Sequence, residues 1–243
     1  MAVSQDDLLE AILAETPVPR LRVTSIAPWA FDDRLLPLLT SDRLCRHVHM
    51  SLQSGSTATL SRMRRPYTAA QYGELVARLR EVVPGLAVTT DVIVGFPGES
   101  EEEFEQSLAF VERTAFAKIH AFPYSVRPGT PAADMDGQVP HEVKRERMER
   151  LLALAAELER RFASQQVGEE LPVLFEERRD GLWWGTADNY ARVGVLSGEA
   201  LGNTLRRVRV AALTPAGLRG EVVGSAAPAA ALPKAPRFPV LPV

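Results

Sequence analysis

The feature that most restricts the fold is an alternation of short apolar runs with longer helical patterns in the first two thirds of the chain. The clearest apolar run covers residues 87–96, and capping-box patterns that begin at Thr68 and Ser100 mark the helices before and after it. Strands that alternate with helices of about 10–15 residues are typical of βαβ units, so this part predicts an α/β fold with a parallel sheet. The predicted strands are residues 21–26, 47–53, 87–96 and 118–124, and the predicted helices include 32–39, 68–83 and about 142–163.

The pattern changes after Gly168, where short strand-like segments follow one another without helices between them. These segments are 171–177, 182–195, 205–213 and 218–223, and turn residues separate them. This spacing predicts a small antiparallel β-barrel. We therefore predict an α/β unit over 1–165, the barrel over 166–224, and an Ala/Pro tail over 225–243 that has too little apolar surface to bury and is expected to be disordered.

Charge and cysteine content narrow the functional classes. The net charge of -3 excludes a strongly basic polyelectrolyte, so nucleic-acid binding would need a local basic patch. The single cysteine, Cys45, excludes an internal disulfide framework, fits a reducing cytoplasm and is expected to be buried and unreactive. No apolar run approaches the ~18 residues of a membrane span, so we expect a cytoplasmic protein with no membrane contact.

Polar, glycine-containing turns follow three consecutive predicted strands. The carboxyl ends of parallel strands meet at one edge of a sheet, where ligands bind, and glycine lets backbone approach a ligand closely. Each turn alone is also compatible with an ordinary connection, but three together favour a binding site. The candidates are Gln53, Ser54 and Gly55 after the second strand, Asp91, Ile93 and Gly95 on the third, Tyr124, Ser125 and Arg127 after the fourth, and Arg65 in a basic loop.

Two histidines, His47 and His49, lie two positions apart on a predicted strand and so share a face. A catalytic zinc site needs a third protein ligand and an open position, which this pair does not provide. The spacing therefore favours a structural role, and we predict no metal ligands in this chain.

The predicted barrel interleaves arginines with Trp183, Trp184 and Tyr190. Small RNA-binding barrels use cations for phosphates and aromatic rings for bases. Carboxylates nearly balance the arginines. The pattern is therefore compatible with two alternatives: an RNA-binding surface, or a salt-bridged barrel that has the tryptophans in its core. The candidate RNA contacts are Arg192, Arg206, Arg207 and Arg209.

Several blocks, in order along roughly residues 5–224, resemble the radical S-adenosylmethionine (SAM) methylthiotransferases. The first and fifth blocks are most similar to the branch that acts on N6-threonylcarbamoyladenosine in tRNA. The blocks are Arg22-Val-Thr-Ser25-Ile-Ala-Pro28-Trp29, His49-Met-Ser-Leu-Gln53-Ser-Gly-Ser56, Met63-Arg-Arg65-Pro-Tyr67-Thr68, Asp91-Val-Ile93-Val-Gly95-Phe-Pro97-Gly98-Glu99, His120-Ala-Phe-Pro-Tyr124-Ser-Val-Arg127-Pro-Gly-Thr-Pro-Ala132 and Asn189-Tyr190.

The resemblance implies a partial radical SAM β/α barrel that contains only the C-terminal strands, followed by a TRAM RNA-binding β-barrel. It implies methylthiolation at C2 of the adenine of nucleotide 37 in the anticodon loop of tRNA, with SAM, [4Fe–4S] clusters and an external electron donor, by a monomer. Carried over by position, the turns at 53–55, 93–95 and 124–125 would flank SAM. Arg65 and Arg127 would contact an anionic group, and the barrel arginines would hold the tRNA backbone.

The cluster motif of this family, a set of three closely spaced cysteines, has no counterpart here. Because a cluster needs three or four thiolates, we expect that these residues alone do not generate the radical. Two interpretations stay open: a fragment of a longer enzyme, or a noncatalytic RNA-binding remnant. Isopentenyladenosine tRNA and a ribosomal protein are alternative substrates within the family. An aldolase-type barrel would need a nucleophile at the strand ends, whereas Lys118 begins its strand.

Overall fold

The structure is a computed structural model that describes residues 5–223, so the tail predicted at 225–243 lies outside the described residues. The first part of the chain forms a four-stranded parallel sheet with helices, and the second forms a separate closed barrel of five strands. The predicted α/β fold with a parallel sheet, followed by a small barrel, is therefore confirmed.

The sheet has the order β1-β2-β3-β4, and each pair of neighbouring strands is parallel. Two short 3-10 turns, Pro28–Ala30 and Pro131–Ala133, follow β1 and β4. The elements of this part are α1 (Gln5–Glu15), β1 (Leu21–Val23), α2 (Leu35–Leu38), β2 (Leu44–His49), α3 (Thr57–Arg62), α4 (Ala69–Val82), β3 (Ala87–Val94), α5 (Glu101–Thr114), β4 (Lys118–Pro123) and α6 (His141–Ser164).

The two helices with capping-box patterns begin where the sequence predicts, whereas α2 begins at Leu35 rather than at the predicted residue 32, and α3 was not predicted. Thr68 and Ser100 both form complete capping boxes, in which the side-chain hydroxyl accepts from the backbone N–H three residues later. α6 is longer than the other described helices and buries Leu151, Ala155 and Leu158. No helix among residues 5–223 combines the length and apolarity needed to cross a membrane.

The core lies between the sheet and its helices. On β3, Val88, Val92 and Val94 are buried in one cluster with Phe104 of α5 and Tyr72 of α4. Burial of each large side chain stabilises the fold by about 1.5–3 kcal/mol. Because side chains alternate along a strand, Thr89, Asp91 and Ile93 point to the other face, which leaves part of that face for polar groups.

The barrel differs from the predicted one in two respects. Residues 182–195, predicted as one strand, form two strands because a turn interrupts them: Tyr190 has a φ of 70°, and the N–H of Ala187 donates to the carbonyl of Ala191 at 2.8 Å. One pair of strands, β7 and β9, is parallel, so the barrel is not wholly antiparallel. The barrel strands are β5 (Glu170–Arg179), β6 (Leu182–Ala187), β7 (Arg192–Val195), β8 (Leu205–Thr214) and β9 (Gly217–Val222).

The barrel packs on the edge of the sheet where β1 and β2 begin. Arg20 donates to the carbonyls of Thr186 and Ala187 at 2.8 and 3.0 Å. Nε of Arg46 lies 2.6 Å from Oδ2 of Asp188. These contacts join the two parts at the end of the sheet opposite the carboxyl ends of the strands.

Candidate functional site

A cavity of about 920 Å³ lies at the carboxyl edge of the sheet. The strand ends are brought together there by backbone hydrogen bonds. The N–H of Gln53 donates to the carbonyl of Asp91, and the N–H of Ile93 donates to the carbonyl of Gln53, both at 2.8 Å. The N–H of Tyr124 donates to the carbonyl of Val94, also at 2.8 Å. The three predicted turns therefore meet at one edge, as their position after parallel strands predicts.

Most of the candidate ligand residues line this cavity, and three do not. Ser54, Gly55 and Gly95 lie beside it rather than in its wall. Gln53 has a φ of 69°, a backbone conformation that is unusual for a residue with a side chain and clusters at functional sites. The candidate residues in the wall are Gln53, Arg65, Asp91, Ile93, Tyr124, Ser125 and Arg127.

Ser54 and Gly55 hold α5 close to the end of β2. The hydroxyls of Ser54 and Ser107 lie 3.0 Å apart, and the N–H of Gly55 donates to the Ser107 hydroxyl at 3.1 Å. A Cβ on Gly55 would lie 2.7 Å from Cβ of Phe110. The glycine therefore permits the close approach of a helix, whereas the sequence suggested the close approach of a ligand.

Gly95 belongs to a turn that a buried ion pair fixes. Its N–H donates to Oε2 of Glu99 at 2.6 Å, and Nη1 of Arg147 on α6 donates to the same oxygen at 2.8 Å. Burial raises the pKa of Glu99, and the Gly95 amide and the Arg147 guanidinium oppose that increase. A Cβ on Gly95 would overlap the aliphatic chain of Lys144. Sequence reasoning missed Arg147, because nothing in its local pattern points to a carboxylate 48 residues earlier.

Asp91 is held at the bottom of the cavity by a polar cluster. The Ser51 hydroxyl donates to Oδ2 of Asp91 at 2.7 Å, and Nε2 of His49 lies 3.2 Å from the same oxygen. Thr89 lies 3.0 Å from a ring nitrogen of each of the two histidines, His47 and His49. No group of three or more metal-ligating side chains is found within the described residues.

Two buried polar atoms beside the cavity have no partner among residues 5–223. They are Nε of Arg65 and the hydroxyl of Tyr124, and both residues line the cavity wall. A buried polar atom without a hydrogen bond costs about 1–3 kcal/mol, so such atoms are rare and call for an explanation. Their presence in the wall of one cavity favours a polar ligand that provides the missing partners.

The charge around the cavity is mostly positive. Arg62, which lines it, is engaged elsewhere: its Nη1 lies 2.9 Å from Oε1 of Glu103, and this hydrogen bond lowers the pKa of Glu103. Arg127 is exposed and has no ion pair with any residue in the described part of the chain. Asp91 is the single carboxylate in the wall. A ligand with an anionic group and a separate donor group is the best match for this arrangement.

The apolar part of the wall was not predicted. Phe96 and Phe122 lie in segments that the sequence singled out, but their spacing is also that of core residues. Phe96 packs edge-on against Tyr124, with ring centroids 5.3 Å apart. Met63 and Met135 come from loops far apart in the chain, and no sequence signal places either residue at the strand ends.

The wall fits SAM, the cofactor that the resemblance implies. Arg65 and Arg127 suit a carboxylate, Asp91 suits an ammonium or hydroxyl group, and Ile93 and Phe96 offer apolar surface for an adenine ring. The residues do not fit an iron–sulfur cluster. Cys45, the one cysteine of the chain, is buried on β2 and does not line the cavity.

The four candidate RNA contacts of the barrel differ in whether they form ion pairs with carboxylates. Arg192 pairs with Glu177 at 2.5 Å, and Arg209 pairs with Glu170 at 2.6 Å. Arg206 pairs with Glu199 at 3.3 Å, and its side chain is only 13% exposed. Arg207 is exposed and forms no ion pair within residues 5–223. Arg192 also lies over the buried Trp184 ring, so this tryptophan contributes to the barrel itself.

The chain is similar to known proteins over most of its length. Residues 4–111 match the Radical SAM superfamily. The threonylcarbamoyladenosine tRNA methylthiotransferase MtaB of Bacillus subtilis is 43% identical over 72% of this chain and 40% of the relative. The tRNA-2-methylthio-N(6)-dimethylallyladenosine synthases of Syntrophotalea carbinolica and Nitratiruptor are 42% and 38% identical, over 72% and 90% of this chain and 40% and 51% of the relatives.

Among solved structures, the radical SAM enzyme coproporphyrinogen III oxidase (HemN) from Escherichia coli has 18% sequence identity and a TM-score of 0.48, over 57% of this chain and 32% of that one. The chain spans about two fifths to one half of the length of the curated relatives named above. The resemblance to radical SAM tRNA methylthiotransferases, predicted from the motif blocks, is confirmed.

Proposed function

We propose that this radical SAM chain is the SAM-binding and RNA-holding part of an enzyme that methylthiolates tRNA. The observation that carries the proposal is the cavity at the carboxyl edge of the sheet, with two unpartnered polar atoms, of Arg65 and Tyr124, in its wall. The relatives named for tRNA methylthiolation support the choice of substrate class. The thiolates for an iron–sulfur cluster would come from polypeptide that these 243 residues do not contain.

The residues of the cavity bind and orient SAM. Arg65 and Arg127 hold its carboxylate, and the carboxylate of Asp91, fixed by Ser51 and His49, accepts from a hydroxyl or ammonium group. The apolar side chains of Ile93, Phe96 and Phe122 exclude water from the bound adenosyl group. When bound, SAM supplies the 5′-deoxyadenosyl and methyl groups that this class of chemistry uses.

The small barrel holds the tRNA. We assign it as a TRAM domain over 166–224, joined to an α/β unit over 1–165, with Arg207 as its most available phosphate contact. The whole enzyme would act as a monomer in the cytoplasm, where tRNA is modified, and would take electrons from an external donor. Its target would be nucleotide 37 in the anticodon loop.

Among the substrates of this family, N6-threonylcarbamoyladenosine is favoured. The block at Ala27, Pro28 and Trp29 and the block at residues 120–125 are most similar to that branch. The similarity to the B. subtilis threonylcarbamoyladenosine enzyme supports the choice, and the two dimethylallyladenosine synthases make isopentenyladenosine the alternative.

Binding of SAM to the chain tests the cavity. We expect Arg65→Gln to weaken SAM binding about tenfold in titration calorimetry, because a charge-assisted contact is lost. Arg145→Gln is the matched control, since Arg145 is exposed on α6 and does not line the cavity. If the chain binds tRNA but not SAM, it is a noncatalytic RNA-binding remnant instead.

Nucleoside mass spectrometry tests the substrate. In tRNA from cells that lack the encoding gene, the methylthio derivative of threonylcarbamoyladenosine should disappear, and the unmodified threonylcarbamoyladenosine should accumulate. Loss of methylthio-isopentenyladenosine would assign the chain to the other branch. Unchanged tRNA together with a ribosomal protein that lacks its methylthio group would exclude tRNA as the substrate.

A further inference from the structure

A second cavity, of about 730 Å³, lies at the opposite edge of the sheet from the SAM-binding cavity. Its wall combines parts of both units: the C-terminal half of α6, the start of β4, and two turns of the barrel, β6–β7 and β8–β9. We call it the junction cleft. Its size lies within the range of about 300–1,000 Å³ that is usual for ligand pockets.

Cations from three different elements line the junction cleft. They are Lys118 at the start of β4, Arg160 on α6 and Arg192 at the start of β7, and the wall contains a single carboxylate, that of Glu159. Nζ of Lys118 lies 3.8 Å from Oε1 of Glu159, and the lysine side chain is about half exposed. Arg160 is exposed and has no ion pair with any residue between 5 and 223. Because Arg192 pairs with Glu177, the excess within the described residues is the one positive charge of Arg160, and this charge in a concave site favours an anionic ligand.

Tyr190 supplies an aromatic wall to the junction cleft. The residue is 41% exposed, and its hydroxyl has no hydrogen-bond partner among the residues that the structure describes. Asn189 beside it is buried, and its amide donates to Oε1 of Gln166 at 2.7 Å, which fixes the turn. Phosphate-binding cations beside an aromatic group with a free hydroxyl are a combination that suits RNA.

We propose that the junction cleft binds a phosphodiester segment of the tRNA, so that the RNA contacts the α/β unit and the barrel together. The inference rests on the proposed function, because it needs an RNA partner. Arg192, a candidate RNA contact of the barrel, also lines the cleft, so this candidate contact shares one cavity with Arg160 of α6 and Lys118 of β4.

The distance between the junction cleft and the SAM-binding cavity means that one nucleotide does not occupy both. β4 runs from Lys118 in the cleft to Pro123, which lines the SAM-binding cavity. The five residue steps from Lys118 to Pro123 span about 17 Å. The nucleotide held in the junction cleft is therefore not the nucleotide that enters the SAM-binding cavity. Substitutions in the cleft should change the affinity for tRNA and leave the affinity for SAM unchanged.

The test is a titration of fluorescently labelled tRNA with the 243-residue chain at several salt concentrations. The variant Lys118→Met/Arg160→Met keeps the apolar stems and removes two cations. We expect about tenfold weaker binding and a salt dependence whose slope is smaller by about 1.5, because two phosphate contacts are lost. The control is Arg145→Met, which removes one positive charge from α6 about 22 Å from Arg160 and should bind within about twofold of the parent chain.

Two further measurements make the result decisive. Glu159→Gln removes the carboxylate of the cleft and should tighten tRNA binding about twofold, even if the double variant fails to fold. SAM affinity, measured on each variant, should stay unchanged. The inference is overturned if the double variant binds tRNA like the parent chain, if a mononucleotide or inorganic phosphate displaces the tRNA at equal concentration, or if the parent chain binds no tRNA. If the parent chain binds no tRNA, the measurement of SAM affinity still tests the proposed SAM site on its own.

Discussion

The ring of Tyr190 in the barrel stacks on the ring of His47 in the sheet, with centroids 4.4 Å apart and planes 20° apart. The guanidinium of Arg22 lies 5.1 Å from the centroid of the same tyrosine. The His47 side chain is buried, and its Nδ1 has no hydrogen-bond partner within the described residues. A positive charge on the imidazole would therefore be poorly solvated and would lie near a cation. The contact between the two units thus depends on a neutral histidine.

This dependence predicts a loss of stability in mild acid. Burial, and next the charge of Arg22, lower the pKa of His47 to about 3, whereas an unfolded chain has a histidine pKa of about 6.5. Between these values the unfolded state binds a proton that the folded state does not, so the free energy of unfolding falls as the pH falls. We expect His47 to contribute a loss of about 2 kcal/mol between pH 7 and pH 5. Urea unfolding at both pH values measures it.

The variant His47→Gln isolates this contribution from that of other groups. Its free energy of unfolding should fall by about 2 kcal/mol less than that of the parent chain over the same pH interval. Parallel losses in the two proteins would show that the histidine at the junction is not responsible.

Removal of the Tyr124 hydroxyl should have opposite effects on the stability of the chain and on its affinity for SAM. This buried hydroxyl has no partner in residues 5–223, so Tyr124→Phe should raise the free energy of unfolding of the ligand-free chain by up to about 1 kcal/mol. The same change should weaken SAM binding by about threefold to tenfold, because the ligand loses a hydrogen bond. Thermal unfolding and titration calorimetry measure the two effects.

Tyr67→Phe is the matched control for that experiment. The Tyr67 hydroxyl lies 3.0 and 3.1 Å from the carbonyls of Ser51 and Leu52, and burial raises its pKa. Its removal should destabilise the chain by about 1 kcal/mol and leave SAM binding unchanged. If both variants change stability in the same direction, the Tyr124 hydroxyl has a partner in the ligand-free protein.

The buried pair of Arg147 and Glu99 supports the turn beside the cavity. The side chains are 6% and 1% exposed, and Arg147→Met would leave the carboxylate without its counter-charge. We expect a loss of about 3–5 kcal/mol in the free energy of unfolding. Arg150→Met, on the same helix and 36% exposed, should cost less than about 1 kcal/mol. If the two variants lost the same free energy of unfolding in chemical denaturation, the buried pair would stabilise the chain no more than the exposed one does.

Gly55 tests the packing of α5 on the end of β2. A Cβ there would lie 2.7 Å from Cα of Ser107, so Gly55→Ala should cost about 1–3 kcal/mol through overpacking. Gly198→Ala is the control, because a Cβ at that position meets nothing within 4 Å. If Gly55→Ala leaves stability unchanged but weakens SAM binding, the glycine serves the ligand rather than the helix.

Part of the candidate site was predictable from local signals. Gln53, Asp91 and Tyr124 lie in or directly after apolar runs, and the ends of parallel strands must share an edge, so their convergence follows from strand order. The family blocks added the expected ligand, SAM. Sequence spacing did not separate Gly55 and Gly95, which serve packing and a turn, from the residues of the wall, because a glycine shows only that something approaches closely.

The sequence by itself determined the alternation of strands and helices, the capped starts of α4 and α5, and the position of the turns, because each depends on residues within a few positions of one another. Only the tertiary structure decided that Arg147 neutralises Glu99, that Tyr190 covers His47, and that Lys118 and Arg160 face the barrel. These contacts join residues 29 or more positions apart. Their energies depend on burial and distance after the chain has packed, and no local pattern contains either quantity.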